Sequence, residues 1–554
     1  NAAYDRIGYD GIEFSLESVI AGQQGTLWRE VDIAGQPMAE IRRTDPVAGL
    51  DVRLTLDTRL QEFAQEALLR RQAIVNTDPD IPDSHQGVVV AMNPKNGEIL
   101  AMVSLPTYDN SRFARAIDVA YYEQIIQNRW RPMINHAIAS IYPPGSAWKV
   151  IVAGGALEED VITPQSELTC EGSMVVKNRY APNDPAASQT FVCWNREGHG
   201  PVDLLKGLAQ SCDIYFYQVG GGNEELSWIP TGLGITNMHR YATSFGVGDY
   251  SGIELPGERA VRMPDREWKR RTWGENWSTG DSYNASIGQG YVNVTVLQLT
   301  NVIAAFANGG TLYRPHIVDA YIDRDGTVIE DIPPQIIRTI RTPAPGEKPV
   351  LLPVEDLFIQ GGNSIFCACD PTSEYYDEAY CDPENYEPVY IVRDENDAII
   401  AEVPYTVNLD VPGVFDQGCR EELIRTTPFE PAFLSPNTIE WIQRGMREVV
   451  LTGTGTDSNL GYVNVAGKTS TAEYCDEIAL ERDLCRPGDW PSHAWYSAYA
   501  PYEDPEIAVV AFLYNASEGS LVALPVVTEV LEEYFRLKDE DALGTTPEEP
   551  VNAP

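Results

Sequence analysis

Two short apolar hairpins, far apart in the chain, frame its hydrophobic pattern. Val88 to Met92 and Glu98 to Val103 alternate around Pro94-Lys95-Asn96-Gly97, whose turn residues predict a β-hairpin. Ala494 to Ala500 and Glu506 to Tyr514 predict a second, and Leu521 to Leu537 follows with the spacing of an amphipathic helix. Upstream, Leu50 to Thr58 reads as a strand entering a helix over Arg59 to Arg71, and Asn76 to Gln86, rich in Asp and Pro, reads as a linker. Between the hairpins the pattern is mostly helical. Val150-Ile151-Val152-Ala153-Gly154-Gly155-Ala156-Leu157 is so uniformly apolar that it predicts a buried helix, and Ile214-Tyr215-Phe216-Tyr217 predicts an aromatic core segment. Gly461 to Ala472 reads as a strand. Strands at both ends with a helical middle predict an α+β fold.

Composition narrows the setting. A chain of 554 residues is long enough for a large core. Its net charge of −42 excludes nucleic acid as a partner, because phosphates repel such a surface. The acidity reads as a solvated surface, with salt adaptation of a secreted protein as the second reading. No apolar run is long enough to cross a bilayer, and no signal peptide opens the chain. Residues 345–435 stand apart: they are acidic, rich in Pro and Tyr, and carry Cys367, Cys369, Cys381 and Cys419. They read as an insertion, in the first place a disulfide-stapled surface excursion, with a loop domain over the cleft rim or a partner-binding surface as the alternatives.

Candidate chemistry starts at Pro143-Pro144-Gly145-Ser146-Ala147-Trp148-Lys149. A serine hydroxyl needs an adjacent base to act as a nucleophile near neutral pH, and a lysine serves only when its pKa is lowered. Ser146 and Lys149 are spaced to share one helix face. The Pro-Pro-Gly before them suits a loop entering a helix, which places Ser146 where N–H groups are free and the dipole favours a developing oxyanion. Burial of that helix lowers the lysine's pKa. Farther on, Gly467-Lys468-Thr469-Ser470-Thr471 lies on the strand, where alternation turns Thr469 and Thr471 to one face and Lys468 and Ser470 to the other. Two hydroxyls on one face suit a substrate carboxylate. The same letters end a phosphate-binding loop, but Gly461 stands one residue too far from Gly467 for that loop and no amphipathic helix follows, so that reading is rejected.

Together with Ser211-Cys212-Asp213, these segments resemble, in order, the Ser-x-x-Lys, Ser-x-Asn/Asp and Lys-Thr-Gly elements of the penicillin-recognising serine acyltransferases. The likeness extends through Asn135 to Lys149, Gly198-His199-Gly200, Thr279-Gly280-Asp281-Ser282-Tyr283-Asn284, Ile287-Gly288-Gln289-Gly290 and Ala307-Asn308-Gly309-Gly310 to the transpeptidase domain of class B penicillin-binding proteins. The Ser-x-Asp form, Trp268-Lys269 and the Gly-His-Gly are most similar to the elongation-type group, penicillin-binding protein 2. The resemblance implies a five-stranded antiparallel sheet flanked by helices. It also implies a truncated N-terminal pedestal with its linker over 1–86, a transpeptidase domain over 87–540 and a Pro/Glu-rich tail over 541–554. By the same resemblance Ser146 is the nucleophile, Lys149 its base, Ser211 a proton relay and Asp213 a contact to the substrate amide. The N–H groups of Ser146 and Thr471 would form the oxyanion hole. Lys468 would keep Lys149 neutral and steady the substrate carboxylate, and Ser470 and Trp148 are expected beside the substrate. One departure stands out, because Ser470 occupies the family's third-motif glycine and crowds the Lys468 side; altered rates rather than lost function are expected.

The cysteines number nine, an odd count. Cys170, Cys193, His199 and Cys212 supply three thiolates and an imidazole, a set suited to tetrahedral zinc, and they resemble the zinc ligands of several penicillin-binding protein 2 members. Such a zinc would be structural, since four protein ligands leave no open position. The alternative is a Cys170–Cys193 disulfide with Cys212 a free thiol and His199 a structural histidine. His493 follows Cys475 and Cys485, which reads as a Cys475–Cys485 bridge in preference to a second metal site.

The resemblance implies a D,D-transpeptidase that cross-links peptidoglycan stem peptides through a serine acyl-enzyme and is acylated by β-lactams. It further implies an extracytoplasmic position at a bacterial membrane, an N-terminal anchor helix absent from this chain, and elongation partners that include a SEDS-type glycan polymerase. The alternatives are a D,D-carboxypeptidase or β-lactamase passing the acyl group to water, a non-catalytic scaffold with Ser470 as the damage, and a β-lactam sensor.

Overall fold

Three strands of the central sheet are buried on both faces, and that double burial decides the architecture. The computed structural model describes residues 7–34, 36–77, 84–113, 117–177, 188–344, 349–350, 389–393, 399–404, 432–486 and 490–543. Within them β1 (Gly87–Met92), β2 (Ile99–Leu105), β3 (Ala466–Glu473), β4 (Ser492–Ala500) and β5 (Ile507–Leu513) form one antiparallel sheet in the order β3-β4-β5-β1-β2. A strand with an apolar layer on each side reads as a continuous apolar run, which is why Val88-Val89-Val90-Ala91 and Ile507 to Leu513 carry so few polar residues. The edge strand β2 instead alternates buried and half-buried positions.

Eight helices are needed to describe the two layers: α1 (Thr58–Val75), α2 (Lys149–Glu158), α3 (Leu204–Ala209), α4 (Asp213–Gly221), α5 (Thr279–Ser286), α6 (Val296–Ala307), α7 (Pro436–Leu451) and α8 (Gly519–Ala542). One face of the sheet, through Val89, Ala91, Val509 and Ala511, packs under α1 and α8. The other, through Val88, Val90, Val510 and Phe512, meets the helical layer. α2 is buried from Lys149 to Ala156 and α6 along its whole length, so these two helices form the centre of that layer. α4 and α5 cross closely because Gly220 lacks a side chain: a Cβ there would lie 2.2 Å from the Ser286 Cβ.

The α+β expectation and the five-stranded sheet are met, with shifts at the ends of elements. α1 starts one residue early, capped by Asp57, which accepts from the N–H groups of Arg59 and Leu60, and it runs on to Val75. The strand expected from Gly461 begins only at Ala466, because Gly461 adopts a left-handed φ of 76° in the preceding turn. The closing helix is longer at both ends than its apolar spacing indicated and tolerates Pro525 in its second turn.

Before α1, two short helices (Gly11–Ser15, Glu17–Ile20) lead to a hairpin, Thr26–Val31 with Pro37–Thr44, whose residues are exposed at every position. Asp51–Leu54 then pairs with Val318–Ile322, tying this segment to the body. Most of 345–431, including Cys367, Cys369, Cys381 and Cys419, lies outside the described residues, as do parts of the expected linker and tail. No helix among the described residues is long and apolar enough to cross a membrane.

Candidate active site

The turn that presents Ser146 is shaped by Gly145. Its φ of 55° lies in the left-handed region that glycine adopts without cost, and the chain then makes a 3-10 turn, Gly145–Trp148, before α2 begins at Lys149. Ser146 therefore sits one turn ahead of the α-helix proper, in the 3-10 entry. It is the one partly exposed residue between Pro144 and Ala156; all its neighbours in that span are buried. Its hydroxyl makes no hydrogen bond with any described residue, an ordinary state for a nucleophile before substrate arrives.

Lys149 is completely buried beneath it. Its Nζ donates to Asp213 Oδ1 at 2.7 Å, to the Ser211 carbonyl at 2.9 Å and to Ser211 Oγ at 3.3 Å, which uses all three ammonium protons. The Phe216 ring of the aromatic segment lies 5.4 Å away. Ser211 stands in the left-handed region at φ 52°, a conformation that costs a non-glycine residue about 1–3 kcal/mol. This conformation aims the hydroxyl between two lysines, since Lys468 Nζ donates to the same Oγ at 2.9 Å. Asp213 opens α4, and its second oxygen accepts from the Trp194 N–H at 2.9 Å. Its carboxylate is thus engaged with Lys149 and the backbone.

Lys468 is as buried as Lys149 but has no carboxylate within ion-pair distance among the described residues. Its Nζ donates to Ser211 Oγ and to the Thr469 carbonyl, each at 2.9 Å. Burial first, and then the nearby Lys149, push its pKa well below the ordinary lysine value, with Asp213 opposing. The lysine that the surroundings drive toward neutrality is therefore Lys468, while Lys149 carries the ion pair.

β3 is an edge strand, so one row of its backbone groups is free of the sheet. A Cβ on Gly145 would fall 2.7 Å from the Thr471 carbonyl, so that carbonyl faces the Ser146 turn. The N–H and C=O of one residue in an antiparallel strand point to the same side. The Thr471 N–H consequently opens on the free edge beside Ser146. Across the strand the faces alternate as expected: Lys468 and Ser470 reach Ser211 and Pro144, whereas Thr469 meets the Thr454 hydroxyl and Thr471 Oγ1 accepts from Gly519 N at 3.2 Å. Thr471 keeps its own proton free to donate.

Two residues expected beside the substrate are placed elsewhere. Trp148 is fully buried and packs in the helical core, out of reach of any ligand in the cleft. Ser470 is almost fully buried too, and its hydroxyl donates to the Pro144 carbonyl at 2.6 Å. Three partners were not read from the sequence: the Trp194 N–H, the Pro144 carbonyl and the Thr454 hydroxyl. Backbone groups leave no mark in a sequence. Thr454 had one, the alternation Thr452-Gly453-Thr454-Gly455-Thr456, whose Gly453 lies so close to Ala209 that a Cβ would meet its carbonyl at 2.2 Å.

Next to this centre, Cys170, Cys193, His199 and Cys212 converge, their ligand atoms all within 4.8 Å of one another. The three thiols are free and buried, so the Cys170–Cys193 disulfide is not formed. His199 turns Nδ1 to the thiols, 3.6 Å from each of Cys170 and Cys193, and its Nε2 is buried without a partner. Hydrogen bonding from Cys212 pulls the Cys193 thiol down to about 5 and pushes Cys212 up. The donor set and its spacing fit a tetrahedral zinc. Cys475 and Cys485 are joined by a disulfide, and His493, buried and stacked on Tyr474, accepts from Asn515 N and holds no cluster.

A family model described as the penicillin-binding protein transpeptidase domain matches residues 87–349 and 427–532. The peptidoglycan D,D-transpeptidase MrdA of Haemophilus influenzae is 28% identical over 548 residues, covering 96% of this chain. The chain spans 64% of that relative's length. Among solved structures, Pseudomonas aeruginosa PBP2 in complex with WCK 5153 superposes with a TM-score of 0.60 at 26% identity, over 95% of this chain and 84% of that one. A chain of a peptidoglycan synthase complex, described as coordinating polymerization and crosslinking, gives 0.64 at 25% identity, over 98% and 72%.

Proposed function

The chain belongs to the penicillin-binding protein transpeptidase family, and from that premise we propose that it is a serine D,D-transpeptidase acting on peptidoglycan stem peptides. The observation that carries this reading is Ser146, the only accessible group of its turn, set above two buried lysines that share the Ser211 hydroxyl.

In the resting site Lys149 has three acceptors, one of them the Asp213 carboxylate, while Lys468 has two acceptors and no carboxylate within ion-pair distance among the described residues. A substrate carboxylate arriving near Lys468, Thr469 and Thr471 favours the charged form of Lys468. In this reading the Ser211 hydroxyl turns its proton toward Lys468 Nζ, and a proton then moves from Lys149 to Ser211 Oγ as the Ser211 proton passes to Lys468, which leaves Lys149 neutral. Lys149 takes the Ser146 proton as its oxygen attacks the penultimate D-Ala carbonyl, and the oxyanion meets the N–H groups of Ser146 and Thr471. The C–N bond breaks and terminal D-Ala leaves with a proton returned through Ser211. An amine from a second stem attacks the ester and gives a proton to Lys149, and as the C–O bond to Ser146 breaks that proton passes to the Ser146 oxygen. β-Lactams acylate the same oxygen.

Cys170, Cys193, His199 and Cys212 would hold a structural zinc, tying the loop before Trp194 to the start of α4. The reading includes an extracytoplasmic position and partners of the elongation machinery, among them a glycan polymerase, in line with the synthase complex that this chain resembles.

The test is intact mass after incubation with a fluorescent penicillin, followed by release of D-Ala from a pentapeptide donor with and without an acceptor amine. One adduct, lost in Ser146→Ala, and amine-dependent product are expected. Absence of an adduct would point to a scaffold, and rapid return to unmodified mass to a hydrolase.

A further inference from the structure

We propose that Ser470 is a positioning residue, whose hydroxyl fastens the Ser146 turn to β3 and so fixes the gap between the nucleophile and the free strand edge. This rests on the acyl-enzyme reading above. On its far side the turn is held by the backbone: Gly145 N donates to the Gly288 carbonyl at 2.9 Å, and Tyr142 and Val294 exchange two bonds of 3.0 Å each. On its near side, the bond from Ser470 Oγ to the Pro144 carbonyl is the only hydrogen bond joining residues Pro144 to Trp148 to β3 among the described residues.

The fit around that bond is specific. A Cβ on Gly145 would stand 2.5 Å from Ser470 Oγ, so the hydroxyl fills the space that the glycine leaves empty. Pro144 is buried, and Ser470 Oγ is the side-chain donor its carbonyl receives. Removing the hydroxyl takes away a buried hydrogen bond and leaves the turn with no hydrogen bond to β3 among the described residues. The Thr471 N–H, one residue along the strand, is the group whose distance to Ser146 then drifts. Reaction rates respond steeply to such displacement, by about a hundredfold for 1 Å, whereas initial ligand capture depends on the cleft walls and does not.

The experiment compares the full chain with Ser470→Ala, Ser470→Gly and Ser470→Thr, using a chromogenic cephalosporin in stopped flow. Rates are counted per active site by penicillin titration, and hydrogen exchange is followed over residues 145–149 and over β4 and β5. Expected are acylation constants about tenfold lower in Ser470→Ala and Ser470→Gly, unchanged dissociation constants, faster exchange in the turn alone, and recovery to near the native rate in Ser470→Thr, which keeps the oxygen. Native rates in Ser470→Ala, or exchange rising through the whole sheet, would overturn the proposal. If the native protein takes no label, the acyl-enzyme reading is what fails, and the exchange comparison still decides whether Ser470 anchors the turn.

Discussion

The two walls of the cleft hold their lysines by opposite means. On the helical wall, Lys149 is compensated: Asp213 pairs with it, and Asp213 is itself held by the backbone of the loop that carries the Cys/His cluster. On the strand wall, Lys468 has hydrogen bonds but no counter-ion among the described residues, and burial suppresses its charge. A buried ammonium is either paired or discharged. Here a lysine paired with a carboxylate and a lysine whose charge burial disfavours share a single serine hydroxyl.

The largest effect should come from breaking the compensated wall. Asp213→Ala strands a fully buried ammonium and is expected to cost about 3–5 kcal/mol in chemical denaturation. A loss below about 1 kcal/mol would mean that the wall stands on packing and the contrast is false. Next is the strand wall's covalent support: replacing Cys475 and Cys485 by serine frees the segment just beyond β3, with an expected loss of about 2–3 kcal/mol from loop entropy. Under reducing conditions the native protein should match that variant, and its melting temperature gives the check.

Lys468→Met should have the opposite sign. Removing a suppressed lysine stabilises the fold by about 1–2 kcal/mol at pH 7, while acylation falls about a hundredfold or more. The pH dependence sharpens this. Because the folded pKa lies well below that of the unfolded chain, the unfolded state binds the extra proton between the two values, and native stability rises with pH across that window. The stabilising gap between Lys468→Met and the native protein should therefore narrow as pH climbs toward 10.5. A constant gap would place the effect in shape, not in charge.

How much of this was legible in the sequence depended on distance along the chain. The hairpin of β1 and β2 and the buried α2 are local patterns, and each lies where its periodicity placed it, whereas Ser146 stands in a 3-10 turn ahead of the helix expected to carry it with Lys149. Trp148 was expected beside the substrate from the resemblance, but the 3-10 entry turns it inward. The bond from Ser470 to Pro144 joins residues 326 positions apart, and the pairing of Lys149 with Asp213 spans 64. Neither leaves a local trace. Alternation on β3 separated the threonines from Lys468 and Ser470, but could not say that Ser470 would meet a backbone carbonyl instead of a ligand.

The open edge of β3 has a consequence for how such a protein changes over generations. The groups that line it belong to the backbone, and among the ordinary substitutions only proline removes a backbone N–H. The spacing between the strand and the turn is what substitutions change more readily. The positions that set this spacing are few and small, Gly145, Gly288 and Ser470. Substitution there has a short menu, and on the transpeptidase reading proposed above each choice is also a choice about how fast the ester on Ser146 forms.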